Sequence, residues 1–378
     1  MGKNAPSAPS PDRLAAARNL LAAADLDALL VSSPENRRYL SGFTARDDAL
    51  NESSGFLLLS SRSAYLLTDF RYREWAAAEA PDFDLVIYTA GLSKLLPDLL
   101  ASLSCRRLGF ETPYLSFSLY HRLTEAVAGA GLQMEWIPQE TLLEPLREVK
   151  DAAEVTAIRR ALALSEKVMA EVAEYLTPGR TEAEVAWFIE RRLRELGAEA
   201  PAFDPIVAAG TNAARPHHHP GDHVIQTGEP VIIDMGARLA GYCSDISRTF
   251  YVGGEPDAKF REVYTLVRRA QMQAEGGIKA GMLSSDADAL AREVIGAAGY
   301  GDAFGHSLGH GVGLAVHERP SLSPYKDRAT VLPAGAVATV EPGIYLPDWG
   351  GVRLEDMILI TAAGADILNT DRNFYLFE

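Results

Sequence analysis

The hydrophobic and polar positions of this chain fall into two textures that change near residue 150. Before that point come short apolar runs: Ala28-Leu-Leu-Val31, Gly55-Phe-Leu-Leu-Leu59, Ala64-Tyr-Leu-Leu67 and Leu85-Val-Ile-Tyr88. Their length suits buried strands. An Ala/Leu-rich amphipathic stretch from Arg13 to Ala24, and segments near Tyr72 to Glu79, Leu92 to Leu103 and Ser116 to Ala128, carry apolar residues at helical spacing instead. Alternating strands and helices imply a small α/β domain over residues 13–146. Pro145 and the charged run Arg147-Glu-Val-Lys-Asp151 mark its end. Residues 1–12, rich in Pro, Ser and Ala, read as a flexible tail and lack the apolar block of a signal peptide.

From Ala152 the pattern lengthens. A helix with apolar positions at 3.6-residue spacing is expected to Tyr175, where Thr177-Pro-Gly179 stops it, and Thr181-Glu-Ala-Glu184 resembles a capping start for a second helix to about Leu196. Strands are expected over Pro230–Met235 and Cys243–Val252. Helices follow over Asp257–Ala280 and Ser285–Ala298, then strands over Ala336–Val340 and Val352–Thr361. Helix pair, strand pair, helix pair, strand pair suggests a duplicated α/β half within residues 150–378.

Composition narrows the function classes. A chain of 378 residues is long enough for two domains, and 47% hydrophobic with 23% charged residues is the balance of a globular enzyme. The net charge of −15, with no basic stripe, argues against nucleic acid as a partner. No apolar run approaches the roughly 18–20 residues needed to span a bilayer, so no membrane association is expected. Two widely separated cysteines, Cys105 and Cys243, suit a reducing compartment and a cytoplasmic location.

Three segments carry candidate chemistry. In Val231-Ile-Ile-Asp-Met-Gly-Ala-Arg-Leu-Ala-Gly-Tyr-Cys-Ser-Asp-Ile-Ser-Arg-Thr-Phe250, Asp234 ends one expected strand and Asp245 lies on the next. Paired as a hairpin, the two carboxylates meet on one face and repel unless a cation lies between them. The plainer alternative is that each aspartate caps a turn. In Gly305-His-Ser-Leu-Gly-His-Gly-Val-Gly-Leu-Ala-Val-His-Glu318, three of the chain's 8 histidines fall within twelve residues. The glycines oppose a regular helix and let backbone come close to a ligand. Each imidazole taken singly is also compatible with a satisfied core or surface histidine. In Val340-Glu-Pro-Gly343 and Gly351-Val-Arg-Leu-Glu-Asp-Met-Ile-Leu359, Glu341 ends a strand. Glu355 is expected inside another, on the same side as Arg353, where the two could form only a half-buried ion pair. Together these segments offer an oxygen-rich donor set with imidazole nitrogen, suited to hard or borderline divalent ions, and bridging carboxylates can hold two such ions roughly 3.5–4 Å apart.

On these residues the chain resembles the pita-bread metallopeptidases, in the branch with Xaa-Pro aminopeptidase (aminopeptidase P) and prolidase. Pro34-Glu-Asn, Tyr39-Leu-Ser-Gly-Phe43 and Thr68-Asp-Phe-Arg-Tyr72 are similar to a creatinase-like N-terminal domain, and residues from about 150 onward to the catalytic domain with its pseudo-twofold halves. The resemblance implies that Asp234, Asp245, His310, Glu341 and Glu355 hold two divalent metal ions, with Mn²⁺ expected and Co²⁺ or Zn²⁺ as alternatives. It further implies a substrate-side role for His217, in Gly210-Thr-Asn-Ala-Ala-Arg-Pro-His, oxyanion contacts from His306 or His317, a proton-accepting role for Glu341, and Arg353 beside the last glutamate. Phe203 is expected as an apolar wall for proline, whose amide lacks an N–H. His218, His219 and His223 are expected to be loop residues. The implied activity is hydrolysis of the Xaa-Pro bond at the N-terminus of peptides, with Xaa-Pro dipeptidase as the alternative and a non-catalytic binding module as a remote one. Proline-containing peptides or Xaa-Pro dipeptides are the expected partners, and a homodimer the expected assembly.

Overall fold

The computed structural model describes residues 11–47, 49, 52–371 and 374–377. Ten residues of the expected tail, 1–10, lie outside that description, while Pro11 and Asp12 open the helix Pro11–Ala23. The chain forms two compact units, Met1–Arg147 and Glu148–Glu378. Among the described residues no helix is long and apolar enough to cross a membrane.

The first unit is built on a six-stranded mixed sheet in the order Asp84–Ile87, Ala64–Thr68, Phe56–Ser60, Ala28–Val31, Arg107–Glu111, Glu135–Gln139. Three of the apolar runs read from sequence form adjacent inner strands, where Leu29, Leu30, Leu57 and Leu58 are wholly buried, and the fourth, Leu85-Val-Ile-Tyr88, falls on the edge strand Asp84–Ile87. Two of its strands, Arg107–Glu111 and Glu135–Gln139, and the helix Pro34–Ser41 escape the apolar-run reading. That helix has Pro at its start, where the missing N–H costs nothing, and the Ser33 side chain accepts from Asn36 N.

In the second unit the expected helix, strand, helix, strand order is present, and its halves repeat in detail. The first half packs helices Ala152–Tyr175 and Glu182–Glu195, each opened by a capping box, on an antiparallel sheet ordered Ile246–Tyr251, Pro230–Met235, Ile206–Ala209. Helices Ala258–Gly277 and Ser284–Ala297 of the second half cover a sheet whose inner strands are ordered Asp356–Ile360, Val337–Val340, Gly309–Gly311. Strands Glu318–Leu322 and Ala365–Ile367 extend it at either edge. An apolar core lies under each half, the first also taking in Val337 and Met357 of the second. Ile158, Leu162, Val185, Ile189 and Ile233 lie in one, and Phe260, Val263, Val267, Ile295 and Ile358 in the other.

Between the two long strands of each half, the chain makes a small excursion. The first half inserts Ala237–Leu239 and Tyr242–Cys243, and the second inserts the hairpin Gly343–Leu346 with Gly350–Arg353. Alternation alone runs these excursions together with the strands that follow them. Two expectations are corrected as a result. Asp245 does not lie on a strand but immediately before Ile246–Tyr251, and Glu355 lies in the two-residue link between Gly350–Arg353 and Asp356–Ile360. In both cases the carboxylate sits where the backbone leaves one ladder for another.

Candidate metal centre

Asp234 lies on the strand Pro230–Met235, and its register partner is Ser247. Asp245, two residues before Ser247, is therefore a diagonal neighbour of Asp234 rather than its direct partner. The second half contributes Glu341 just after Val337–Val340 and Glu355 just before Asp356–Ile360. Hydrogen bonds from backbone N–H groups stitch the halves together here: Glu355 N donates to Ser247 O at 3.1 Å, and Arg353 N to the Thr249 hydroxyl oxygen Oγ1 at 3.1 Å. His310 occupies the short strand Gly309–Gly311. A Cβ on Gly309 would lie 2.1 Å from Thr339 O, and one on Gly311 2.1 Å from Arg319 O, so only bare backbone lets this strand press between its neighbours.

The result is one cavity of about 470 Å³ lined by Asp234, Asp245, His310, Glu341 and Glu355 together with His217, His306, His317, Arg353 and Phe203. All ten residues singled out from sequence for this site thus meet in one place. One oxygen each of Asp245 and Glu355 and one ring nitrogen of His310 lie within 4.8 Å of one another. His310 Nε2 is 3.3 Å from Glu341 Oε1 and 3.6 Å from Asp245 Oδ2.

Hydrogen bonds fix how each group presents itself. His310 Nδ1 faces Gly311 O at 3.2 Å, so Nδ1 carries the proton and donates, leaving the Nε2 lone pair aimed at the carboxylates. Arg353 donates from Nη2 to Asp234 Oδ2 at 2.6 Å, and Ser247 Oγ donates to Glu355 Oε2 at 2.8 Å. The other oxygens, Asp234 Oδ1 and Glu355 Oε1, are buried and accept no hydrogen bond among the described residues. Thr339 Oγ1 donates to Glu341 Oε1 at 3.0 Å while accepting from His310 N at 3.0 Å. The ion pair imagined between Arg353 and Glu355 is therefore replaced by one between Arg353 and Asp234, across the two halves.

The electrostatics of this cluster are unfavourable as they stand. Burial, followed by the fields of Glu355, Asp234 and Glu341, holds the Asp245 carboxyl well above the ordinary range. Burial and the neighbouring Glu341 and Asp234 do the same to Glu355, and burial lifts Glu341 to about 7 despite the opposing Arg353. Burial also lowers His310, keeping its imidazole neutral. A neutral nitrogen lone pair facing carboxylate oxygens, beside two orphaned buried acceptors, would be satisfied by a bound cation. Neutral imidazole, carboxylate oxygens and a second imidazole nitrogen bonded to a backbone carbonyl are what a metal site for divalent ions requires. The residues fit the group.

The three remaining histidines differ in freedom. His306 is tied at both nitrogens: Nδ1 donates to Ser307 O at 2.7 Å, and Nε2 accepts from the Tyr345 hydroxyl at 2.8 Å. Burial drops its pKa to about 4 and pushes Tyr345 up to about 12, so neutral imidazole faces neutral phenol. Arg353 Nη1 donates to the same phenol at 3.0 Å. The ring of His317 packs against that of His310, centroids 4.3 Å apart, and makes no hydrogen bond among the described residues; nor does the ring of His217. Of the histidines expected to be simple loop residues, His218 and His219 line the cavity, and His223 pairs with Glu229 at 3.1 Å. Sequence reasoning passed over Tyr345, Ser247, Thr339, Asp204 and Ser321. Only Ser247 left a usable signal, its position opposite Asp234 in the hairpin register.

The chain is similar to known proteins over both of its units. Residues 13–149 match the creatinase/prolidase N-terminal domain. The Xaa-Pro dipeptidase of Pyrococcus horikoshii is 37% identical over 340 residues, which cover 90% of this chain and 92% of that one. Among solved structures, an Xaa-Pro dipeptidase from Bacillus anthracis superposes with a TM-score of 0.89 at 37% identity, covering 95% of this chain and 97% of that one. The X-Pro aminopeptidase of Thermotoga maritima gives a TM-score of 0.82 at 36% identity, covering 92% and 96%. Residues 156–362, which bring the four carboxylates and His310 together, match metallopeptidase family M24, and the chain belongs to that family.

Proposed function

We propose that the protein is a metal-dependent exopeptidase that removes the N-terminal residue from peptides whose second residue is proline. The carrying observation is the single cavity in which four carboxylates and one neutral imidazole converge with two buried acceptors left unpaired. The Xaa-Pro class is supported by the names borne by the similar dipeptidase and aminopeptidase.

In this reading Asp234, Asp245, His310, Glu341 and Glu355 hold two divalent ions, with Mn²⁺ proposed and Co²⁺ or Zn²⁺ as substitutes. When bound, the ions would supply Lewis acidity, lowering the pKa of water and polarising the scissile carbonyl. The chain's own residues do the rest. Glu341 takes the proton of the attacking water. His317, with its ring free of other hydrogen bonds, is the better placed imidazole for the carbonyl oxygen, while His306 keeps Tyr345 and Arg353 aligned. His217 meets the substrate beside the scissile bond. Phe203 offers proline an apolar face, consistent with a tertiary amide that has no N–H to donate.

The aminopeptidase reading is favoured over the dipeptidase one by the lining of the cavity. A dipeptidase must meet the free carboxylate of proline with a cation. Among the described lining residues the guanidinium is that of Arg353, and it is engaged by Asp234, Ser247, Tyr345 and Pro216 O. Asp204 adds a carboxylate to the same wall. The dipeptidase alternative retains the support of the Bacillus anthracis and Pyrococcus horikoshii names. Hydrolysis of Xaa-Pro-Xaa and Xaa-Pro substrates, each with Mn²⁺ and Co²⁺, separates the two: the tripeptide is expected to be cleaved and the dipeptide spared. A cytoplasmic homodimer completes the proposal, and light scattering of the purified protein tests the assembly.

A further inference from the structure

The loop that carries Pro216, His217, His218 and His219 into the cavity has no regular structure over its second half, yet one buried carboxylate, that of Glu182, grips it at several points. Glu182 is the first residue of the helix Glu182–Glu195 and is fully buried. The capping of that helix falls to Thr181 and Glu184, which form the capping box, so the Glu182 carboxylate is free for another task. Its Oε1 accepts from Ala209 N at 2.8 Å and from Asn212 Nδ2 at 3.0 Å. Its Oε2 accepts from His218 Nε2 at 2.8 Å and from Gly221 N at 3.2 Å. Four donors occupy the four acceptor sites of one carboxylate. Burial of an ionised group is costly unless it is satisfied in this way, and a position at the positive end of a helix favours the charge further.

Backbone bonds already tie the far end of the loop to the same helix, from Glu182 N to His223 O at 3.1 Å and from Ala183 N to Gly221 O at 3.0 Å. What the carboxylate adds is the grip on Asn212 and on the His218 ring. On the other side of His217, Arg353 Nη1 donates to Pro216 O at 3.3 Å. His217 is thus bracketed by two anchored neighbours, while its own ring makes no hydrogen bond among the described residues. Its aim is inherited from them.

We propose that Glu182 is a positioning residue for the reaction: by clamping Asn212 and His218 it fixes where His217 meets the substrate. This inference rests on the peptidase reading given above. The test is a double-mutant cycle on the full-length, Mn²⁺-loaded protein with an Xaa-Pro-Xaa peptide, using Glu182→Gln, His217→Ala and the double variant. In the glutamine variant an amide NH₂ faces donors that the carboxylate accepted. Glu182→Gln is expected to lower kcat about 10- to 100-fold, the scale on which misplacement of a reacting group acts, with metal content unchanged and KM within about threefold. The double variant is expected to be no slower than His217→Ala alone. Multiplying effects, or a Glu182→Gln variant as fast as wild type, would overturn the proposal. Should Glu182→Gln fail to fold, His218→Ala takes its place in the cycle, with the same non-multiplying result expected and multiplication again fatal. Wild-type kinetics in His217→Ala would remove the inference by removing its target, whereas a wild-type protein that cleaves no proline peptide would remove the peptidase reading instead.

Discussion

The two halves of the catalytic unit use one topology to bring different side chains to the proposed metal centre. In each, a long strand ends in or beside a carboxylate, a short excursion follows, and a second carboxylate precedes the returning strand. The first half places Asp234 and Asp245 at these points, and the second places Glu341 and Glu355. The second half also places the imidazole of His310 on its third strand, Gly309–Gly311, whereas the matching strand of the first half, Ile206–Ala209, carries no ionisable side chain. The orienting bonds cross between halves for two of the four: Arg353 of the second half holds Asp234 of the first, and Ser247 of the first holds Glu355 of the second. Glu341 and His310 are instead braced locally by Thr339. The acids thus follow the repeated topology, and the halves differ in the histidine and in the crossed bonds.

The sharpest way to break this comparison is to remove a matching acid from each half. Asp245→Ala and Glu355→Ala are each expected to abolish peptidase activity and reduce bound metal together, measured by elemental analysis and by assay on one preparation. Full activity in either would show that the positions are not equivalent. Next come the orienting groups. Ser247→Ala is expected to weaken metal binding about 10- to 100-fold, the usual effect of losing an outer partner of a ligand, as read by calorimetric titration. Arg353→Met is expected to act more strongly on stability, by about 3–5 kcal/mol, because it strands Asp234 as a buried charge without its partner; denaturant unfolding measures this.

The pH dependence of the metal-free protein follows from the raised carboxyls. Below the ordinary carboxylate range, folded and unfolded chains both hold these protons, and no penalty arises. Between about 4.5 and about 7 the folded chain keeps the Glu341 proton that the unfolded chain has lost, so stability falls as pH rises, by on the order of 3 kcal/mol for that group. Asp245 and Glu355 act in the same direction. Metal-free protein is therefore expected to melt at lower temperature at pH 8 than at pH 5.5, and metal-loaded protein to lose that slope. A slope of opposite sign would contradict the assignment of an uncompensated acidic cluster. The mildest expected effect belongs to His306→Ala, which should lower kcat while metal content remains that of wild type. Loss of metal in this variant would make His306 a ligand.

Much of this site was legible in the sequence because its acids sit at strand ends, where apolar runs stop abruptly at Asp234 and Glu341. The glycine-dense run around His310 likewise signalled backbone under close approach, and the structure places carbonyl oxygens there. What the sequence concealed lies in tertiary pairing. The hairpin Gly343–Leu346 with Gly350–Arg353 reads as continuous with the next strand, since Val352 and Leu354 keep the alternation going through the link. Tyr345 looks like an ordinary strand aromatic until His306 and Arg353 are seen to share its hydroxyl. Glu182 and His218 stand 36 positions apart, and no local pattern connects them.

The account depends on one anionic cage drawn from both halves of the unit. Anomalous diffraction from crystals grown with Mn²⁺ tests it most directly. Two peaks are expected per chain, sharing Asp234, Asp245, His310, Glu341 and Glu355 as their coordinating side chains. A single peak held by one half, or peaks confined to His218, His219 and His223, would contradict it.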